Sequence, residues 1–251
     1  MSGHFGEWMQ GRMDPDGTLA LVTMTCPLPP VEPSPGAGPL LPPERIAAFC
    51  AALGVADPRL DMAARMPMGG GTGASTAALL LIGRAAGVHD PARLATACIA
   101  AEGASDPLML DCPDAVLWAP REGRILDRIA PPPRAEIVGG FQGPPLPTDP
   151  ADIDFPDIAD LHRLWATSGQ LSLCAGIASE SGRRTTAARG PEGDPTQTLA
   201  ADLGALGWAR AHTGSARALI YAPGAVPPGV EAALAEAGLT GIVRFQTGGA
   251  A

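Results

Sequence analysis

The stretch Pro67-Met68-Gly69-Gly70-Gly71-Thr72-Gly73-Ala74-Ser75-Thr76-Ala77 limits what this chain can fold into more than any other segment. Glycines at 69, 70, 71 and 73 leave the backbone without Cβ atoms, so it can approach an anion closely. Residues 74–86 then read as a helix whose run Ala77-Ala78-Leu79-Leu80-Leu81-Ile82 is apolar on every face, which makes it a buried helix. Such a helix turns its free N–H groups and the positive end of its dipole back into the loop. Ser75 and Thr76 add hydroxyls where a phosphate-bound metal could sit. A flexible turn in front of a core helix is the plainer alternative.

Two familiar phosphate-binding loops are excluded. All 17 basic residues are Arg, so there is no Lys to open the helix of a Walker loop. The same absence removes the ATP-binding lysine of protein kinases and any Schiff-base lysine. A dinucleotide fingerprint needs a strand directly before it, and Ala63-Ala64-Arg65-Met66 is short and not strand-like.

Bulk properties narrow the function further. The chain has 251 residues, 46% hydrophobic and 17% charged, a globular composition with enough length for one large domain or two small ones. The net charge is -9 and the arginines are scattered, which argues against a nucleic-acid partner. No apolar run approaches the roughly 20 residues of a membrane helix. The N-terminus lacks a basic segment leading into an apolar one, so no secretory signal is expected and a cytoplasmic location is. Cys26, Cys50, Cys98, Cys112 and Cys174 show no metal-ligand spacing, and their odd number suits reduced, mostly buried thiols.

The pattern predicts an α+β chain. Residues 19–25 read as a strand after a turn at Asp14-Pro15-Asp16-Gly17, and the Pro-rich residues 27–43 as an extended surface connection. Helices are predicted at 43–53, with Ile46, Phe49 and Cys50 inward, and at 91–101, followed by a hairpin of 115–118 with 124–129. Pro131-Pro132-Pro133 is the best domain boundary, dividing the chain into 1–130 and 131–251. Beyond it lie a strand at 135–139, helices at 158–168, 171–183 and 196–206, strands at 208–212 and 216–221, a helix at 230–237 and a strand at 241–245. Apart from the extra helices this is the β-α-β-β-α-β order of a split-βαβ, ferredoxin-like domain.

Pro67 through Ala77 resembles the ATP-phosphate loop of the GHMP small-molecule kinases, whose motif is of the Pro-x-x-x-Gly-Leu-Gly-Ser-Ser-Ala type. Gly3-His4-Phe5-Gly6-Glu7-Trp8-Met9-Gln10-Gly11 resembles their N-terminal motif, in its Gly-Glu-Leu-x-Gln-Gly form. Ala211-His212-Thr213-Gly214-Ser215-Ala216 resembles their C-terminal motif in its Ala-His-Ser-Gly-Thr form. These variants together look like the L-threonine kinases of cobalamin assembly, over nearly the whole chain. Thr72 stands where Leu is usual, Ala74 stands for the loop's first Ser, and the C-terminal motif is poor in Gly. Only two residues precede Gly3, so the expectation is either a shortened first strand of the fold or a late start of the sequence.

The resemblance implies two lobes, the first like ribosomal protein S5 domain 2 and the second ferredoxin-like. It also implies ATP and Mg²⁺ as cofactors, with Pro67, Gly69, Gly70, Gly71, Thr72, Gly73, Ala74, Ser75 and Thr76 around the phosphates. L-threonine is the implied acceptor, held by Glu7 and Gln10 and by His212, Thr213, Gly214 and Ser215. Glu102-Gly103-Ala104-Ser105-Asp106 resembles the branch's Glu-Pro-Thr-Asp-Ser segment, which makes Asp106 the residue that orients or deprotonates the hydroxyl and assigns Mg²⁺ to Ser75 and Glu102. By composition alone, Glu102 is a solvated helix end and Asp106 a turn residue before Pro107. Arg183 and Arg184 are candidates for the acceptor's carboxylate. His4, His89 and His162 read as structural, and the oligomeric state stays open, a homodimer included. Homoserine or a sugar as acceptor, or a non-catalytic nucleotide-binding protein, are the alternatives.

Overall fold

The computed structural model describes residues 1–13, 17–145, 149, 151–166 and 169–249. Asp14, Pro15 and Asp16 of the first predicted turn, and Ser168 at the end of a predicted helix, lie outside the described residues. The strands are β1 (Gly3–Met13), β2 (Thr18–Cys26), β3 (Val31–Pro33), β4 (Met62–Ala64), β5 (Val116–Ala119), β6 (Arg124–Arg128), β7 (Ala135–Phe141), β8 (Gly207–Arg210), β9 (Ala216–Tyr221) and β10 (Thr240–Thr247). The helices are α1 (Pro43–Leu53), α2 (Ala74–Ala85), α3 (Pro91–Glu102), α4 (Ala159–Ala166), α5 (Leu171–Arg189), α6 (Thr196–Asp202) and α7 (Val230–Glu236).

Local chemistry sets several of these limits. Pro43 opens α1, where a missing N–H removes no helix bond, and Gly54 closes it in the left-handed region at φ 70°. Asp90 caps α3 by accepting a hydrogen bond from the Arg93 N–H at 2.8 Å, and Gly103 ends it at φ 76°. That left-handed residue turns the chain sharply after Glu102, toward Asp106.

Eight strands form one sheet in the order β10-β7-β9-β8-β1-β2-β5-β6, and β3 pairs with β4 in a separate ribbon. Pairing within the large sheet is antiparallel throughout. β7, β8, β9 and β10 take the split-βαβ arrangement that the sequence pattern predicts, with β7 and β9 adjacent and β10 outside β7. β1 and β8 meet at a single register pair, Glu7 opposite Arg210. Two expectations fail here. β1 is not shortened: it runs through the N-terminal motif for 11 residues and is buried along most of its length. Residues 62–64 just before the Gly-rich loop are a strand, because β3 in the Pro-rich connection supplies the partner that a short segment needs.

β1 is buried because elements cover both of its faces. Trp8 packs on Trp165 of α4 at 5.8 Å between ring centroids, and Phe5 lies 5.3 Å from Phe141 and 5.8 Å from Phe245. A second cluster gathers α1, α2 and α3 around Phe49, Leu79, Leu80, Ile82 and Leu94. A third holds α6 and α7 against β7 and β9 through Trp208, Leu219, Tyr221 and Leu234. Leu79 is fully buried in the middle of α2. Leu79→Ala should therefore lower unfolding stability by about 2–5 kcal/mol, read as a fall in the urea midpoint at unchanged slope; a change under about 0.5 kcal/mol would mean that α2 is not the packed core helix described here.

Candidate functional site

The Gly-rich loop is fastened from two directions. The Gly6 N–H donates to the Gly71 carbonyl at 3.0 Å and the His4 N–H to the Thr72 carbonyl at 3.2 Å, both from β1. The Ala216 N–H, at the start of β9, donates to the Gly70 carbonyl at 2.8 Å. This lacing needs glycine at the crossing point. Gly71 has φ 82°, and a Cβ there would sit 2.1 Å from the Ala211 Cβ. Segments near residues 6, 71 and 214, far apart in the chain, are thereby brought to one place. α2 begins just after the loop, at Gly73, with no side chain capping its N-terminal N–H groups.

Asp106 enters from the turn after α3. The Trp118 indole N–H donates to the Ser105 carbonyl at 2.7 Å, and the Ser105 N–H to the Pro120 carbonyl at 2.8 Å, so the turn is held from β5. Asp106 Oδ2 accepts from the Thr76 hydroxyl at 3.2 Å and lies 3.3 Å from His4 Nε2. Its side chain is 24% exposed, so a bound molecule can reach it. His4 Nδ1 is in turn 3.8 Å from Glu7 Oε1, and Glu7 Oε2 accepts the His212 N–H at 3.2 Å. One chain of contacts thus runs from α2 through Asp106, His4 and Glu7 to the C-terminal motif.

The electrostatics follow from burial and from this chain. Burial pulls the His4 imidazole down, but the Asp106 carboxylate and then Glu7 outweigh it and leave it raised to about 8. Burial pushes Glu7 up, Asp106 adds to the rise and His4 opposes it, for a net value of about 7. Burial would also raise Asp106, but His4 and the Thr76 hydroxyl hold it below the usual carboxylate range. Near neutral pH Asp106 is therefore an ionised acceptor beside a cationic His4. Glu102 is pushed up by burial, against the Ser75 hydroxyl bonded to it and the Arg45 guanidinium 3.0 Å away.

Most of the sequence-predicted residues lie in or beside this arrangement. Ser75 and Glu102 touch through a hydrogen bond, and Thr76, Asp106, Glu7 and His212 belong to the chain of contacts. Gln10 lies farther along β1, where its backbone N–H donates to Ser181 of α5 at 3.1 Å. Thr213, Gly214 and Ser215 line a cleft with His212 on the β8–β9 connection. Arg183 and Arg184 are not placed to take an acceptor's carboxylate: Arg183 is engaged by Glu180, and Arg184 by Asp160 and Glu180, all at 2.7–2.8 Å. Cys26, Cys50, Cys98 and Cys174 are buried and Cys112 is exposed. Among the described residues no helix is long and apolar enough to cross a membrane, and no three His, Cys, Asp or Glu side chains group to hold a metal.

Sequence reading missed His4, which it took as structural. Its spacing of three residues from Glu7 was visible, but its contact with Asp106 depends on a turn about a hundred residues away in sequence. It also missed Arg210, one residue before the C-terminal motif.

The coupled pair sets a pH dependence. His4 and Glu7 have folded values above their unfolded ones, so their contributions to stability are present at low pH and lost as pH rises through about 7 and 8. His212 acts oppositely: burial and then Arg189 lower it to about 3, so its contribution disappears only as pH falls below 6.5. Between pH 6.5 and 8 the first effect acts without the second. The urea midpoint should fall across that interval, and His4→Asn should flatten the fall. An equal slope in both proteins would show that His4 does not carry the charge assigned to it.

No family model and no curated protein matches the sequence. Solved structures do match the fold. Mevalonate kinase from L. major, in complex with R-mevalonate, superposes with a TM-score of 0.57 at 12% identity, over 98% of this chain and 94% of that one. The mevalonate kinase of Methanococcus jannaschii gives 0.55 at 8% identity, over 92% and 89%. A 4-(cytidine 5'-diphospho)-2C-methyl-D-erythritol kinase gives 0.50 at 19% identity, over all of both chains. The architecture of this chain, a large antiparallel sheet with helices packed on it, is the α+β fold of these solved structures.

Proposed function

We propose that the protein is an ATP- and Mg²⁺-dependent kinase that phosphorylates a small-molecule hydroxyl, with L-threonine as the acceptor and O-phospho-L-threonine as the product. The observation that carries this reading is the convergence of the Gly-rich loop, the N-terminal motif and the C-terminal motif on Asp106. The fold shared with proteins named as mevalonate kinases and as a 4-(cytidine 5'-diphospho)-2C-methyl-D-erythritol kinase supports it. The motif variants around Glu7 and His212 support threonine, for the aminopropanol phosphate linker of cobalamin. The reading also takes residues 1–130 and 131–251 as the two lobes, and the cytoplasm as the location.

In this reading the phosphates of ATP lie over residues 67–76, against the uncapped start of α2. The buried Thr72 hydroxyl, which has no hydrogen-bond partner among the described residues, fits a phosphate oxygen there. Ser75 and Glu102 are oxygen donors already in contact, a small protein share of the kind Mg²⁺ accepts when phosphates and waters supply the rest. When bound, the ion neutralises charge that develops on the phosphates. Asp106 receives the proton of the acceptor hydroxyl as its oxygen bonds to the γ-phosphorus and the bond to the bridging oxygen of ADP breaks. His4 keeps that carboxylate ionised before the proton arrives.

The test is ADP release with Mg-ATP across amino acids, sugars and sugar alcohols. Turnover on L-threonine is expected, and Asp106→Asn should lower kcat by about 10²–10⁴-fold with ATP binding retained. Turnover on homoserine or a sugar would replace the acceptor and keep the chemistry. Bound ATP with no turnover on any acceptor would make this a nucleotide-binding protein instead. Glu102→Gln should raise the Mg²⁺ concentration needed for half-maximal rate; an unchanged requirement removes Glu102 from the metal site.

A further inference from the structure

A cleft of about 660 Å³ lies beside the C-terminal motif, between the β8–β9 connection and the end of α5. Its arginines differ in how they are satisfied. Arg217 is bonded to Asp194 at 2.6 Å, with both side chains almost wholly buried. Arg189 pairs with Asp152 and lies over the Phe155 ring. Arg210 is 7% exposed, yet among the described residues no carboxylate lies within ion-pair distance of it. Its bonds go to neutral oxygens: the Thr186 hydroxyl at 2.8 Å, the Gly190 carbonyl at 2.7 Å and the Ala211 carbonyl at 3.2 Å. A buried cation without a counter-ion is destabilising, and such charges are kept where something else neutralises them.

Neutral groups in the same cleft are also unsatisfied. Among the described residues, the Ser215 hydroxyl, His212 Nε2 and Gln142 Oε1 have no hydrogen-bond partner, and Ser215 and His212 are 2% and 3% exposed. The other acidic side chains of the cleft, Asp149 and Asp154, are exposed. The register of the sheet puts Arg210 opposite Glu7, so this cleft adjoins the contacts that lead through His4 to Asp106.

We propose that the cleft is the acceptor's carboxylate subsite, with Arg210 as the counter-charge and Ser215 and neutral His212 as its partners. The inference rests on the kinase reading and narrows it: acceptors carry a carboxylate, and sugars and other neutral polyols are excluded. With Nε and Nη1 bonded within the protein, Nη2 is left to donate a charge-assisted hydrogen bond to a carboxylate, which a neutral hydroxyl does not match in strength.

The experiment compares L-threonine with L-threoninol, which keeps the hydroxyl and the amine and lacks the carboxylate. For the wild type, kcat/KM should be about 10- to 100-fold higher on L-threonine, the range set by hydrogen bonds to a charged group. Arg210→Gln should raise KM for L-threonine by a similar factor, leave KM for ATP unchanged and erase the preference over L-threoninol. Ser215→Ala should weaken the preference in the same direction, which covers the case in which Arg210→Gln does not fold. Equal use of both compounds by the wild type overturns the proposal and leaves the kinase intact. A rise in KM for ATP alone overturns it in favour of a phosphate-binding Arg210. If no acceptor turns over, calorimetric titration of the wild type separates the two ideas: binding of L-threonine but not L-threoninol upholds the carboxylate site without the kinase, and binding of neither overturns both.

Discussion

The backbone contact between β1 and the Gly-rich loop, Gly6 N–H to Gly71 carbonyl at 3.0 Å, is the joint around which the site is assembled. It requires two chains to approach more closely than side chains normally permit. Gly6 is in the left-handed region at φ 71° and Gly71 at φ 82°, and each faces the 210–211 segment, where a Cβ on Gly71 would collide and one on Gly6 would be tightly crowded. From this joint the rest follows by connection. β1 carries His4 and Glu7 on either side of Gly6, the loop leads into α2 with Ser75 and Thr76, and the 211–216 segment closes over both.

What the joint brings together is a graded set of charges. Asp106 is ionised because a cation sits beside it, whereas Glu7, one contact farther along, shares the same cation and is pushed up by burial to about 7. Two carboxylates with one imidazole between them therefore differ in protonation near neutrality, which is the usual way a fold separates a proton acceptor from a binding group. The chain has no Lys, so its close-range cations are imidazole and guanidinium. A guanidinium at the position of His4 would stay charged at every relevant pH, and imidazole makes the charge responsive instead.

The arginines show how much a charge depends on its surroundings. Arg184, Arg189, Arg217 and Arg244 each sit against a carboxylate and are structural. Arg210 is buried and its hydrogen bonds go to neutral oxygens; burial and then Arg217 lower its value to about 10, against the pull of Asp194 and Glu7. Nothing in the residue type separates these cases. The difference lies entirely in which acidic side chains the sheet and α5 bring alongside.

Local sequence determined a good deal of this protein. The helix limits at Pro43 and Gly54, the buried α2, the β5–β6 hairpin and the split-βαβ order were all legible, because caps, turns and apolar periodicity act over a few residues. The order of the three motifs was legible as well. Tertiary structure alone decided the rest. The N-terminal motif lies on a central strand, β1, since partners on both sides supply its hydrogen bonds and both its faces are covered. The short strand before the Gly-rich loop exists only because a Pro-rich segment pairs with it. His4 meets Asp106, and among the described residues no carboxylate forms an ion pair with Arg210, through an arrangement of residues that are distant in the chain. A pattern over a few residues carries no record of which distant group will face a side chain, and that neighbour determines whether a charge is structural or functional.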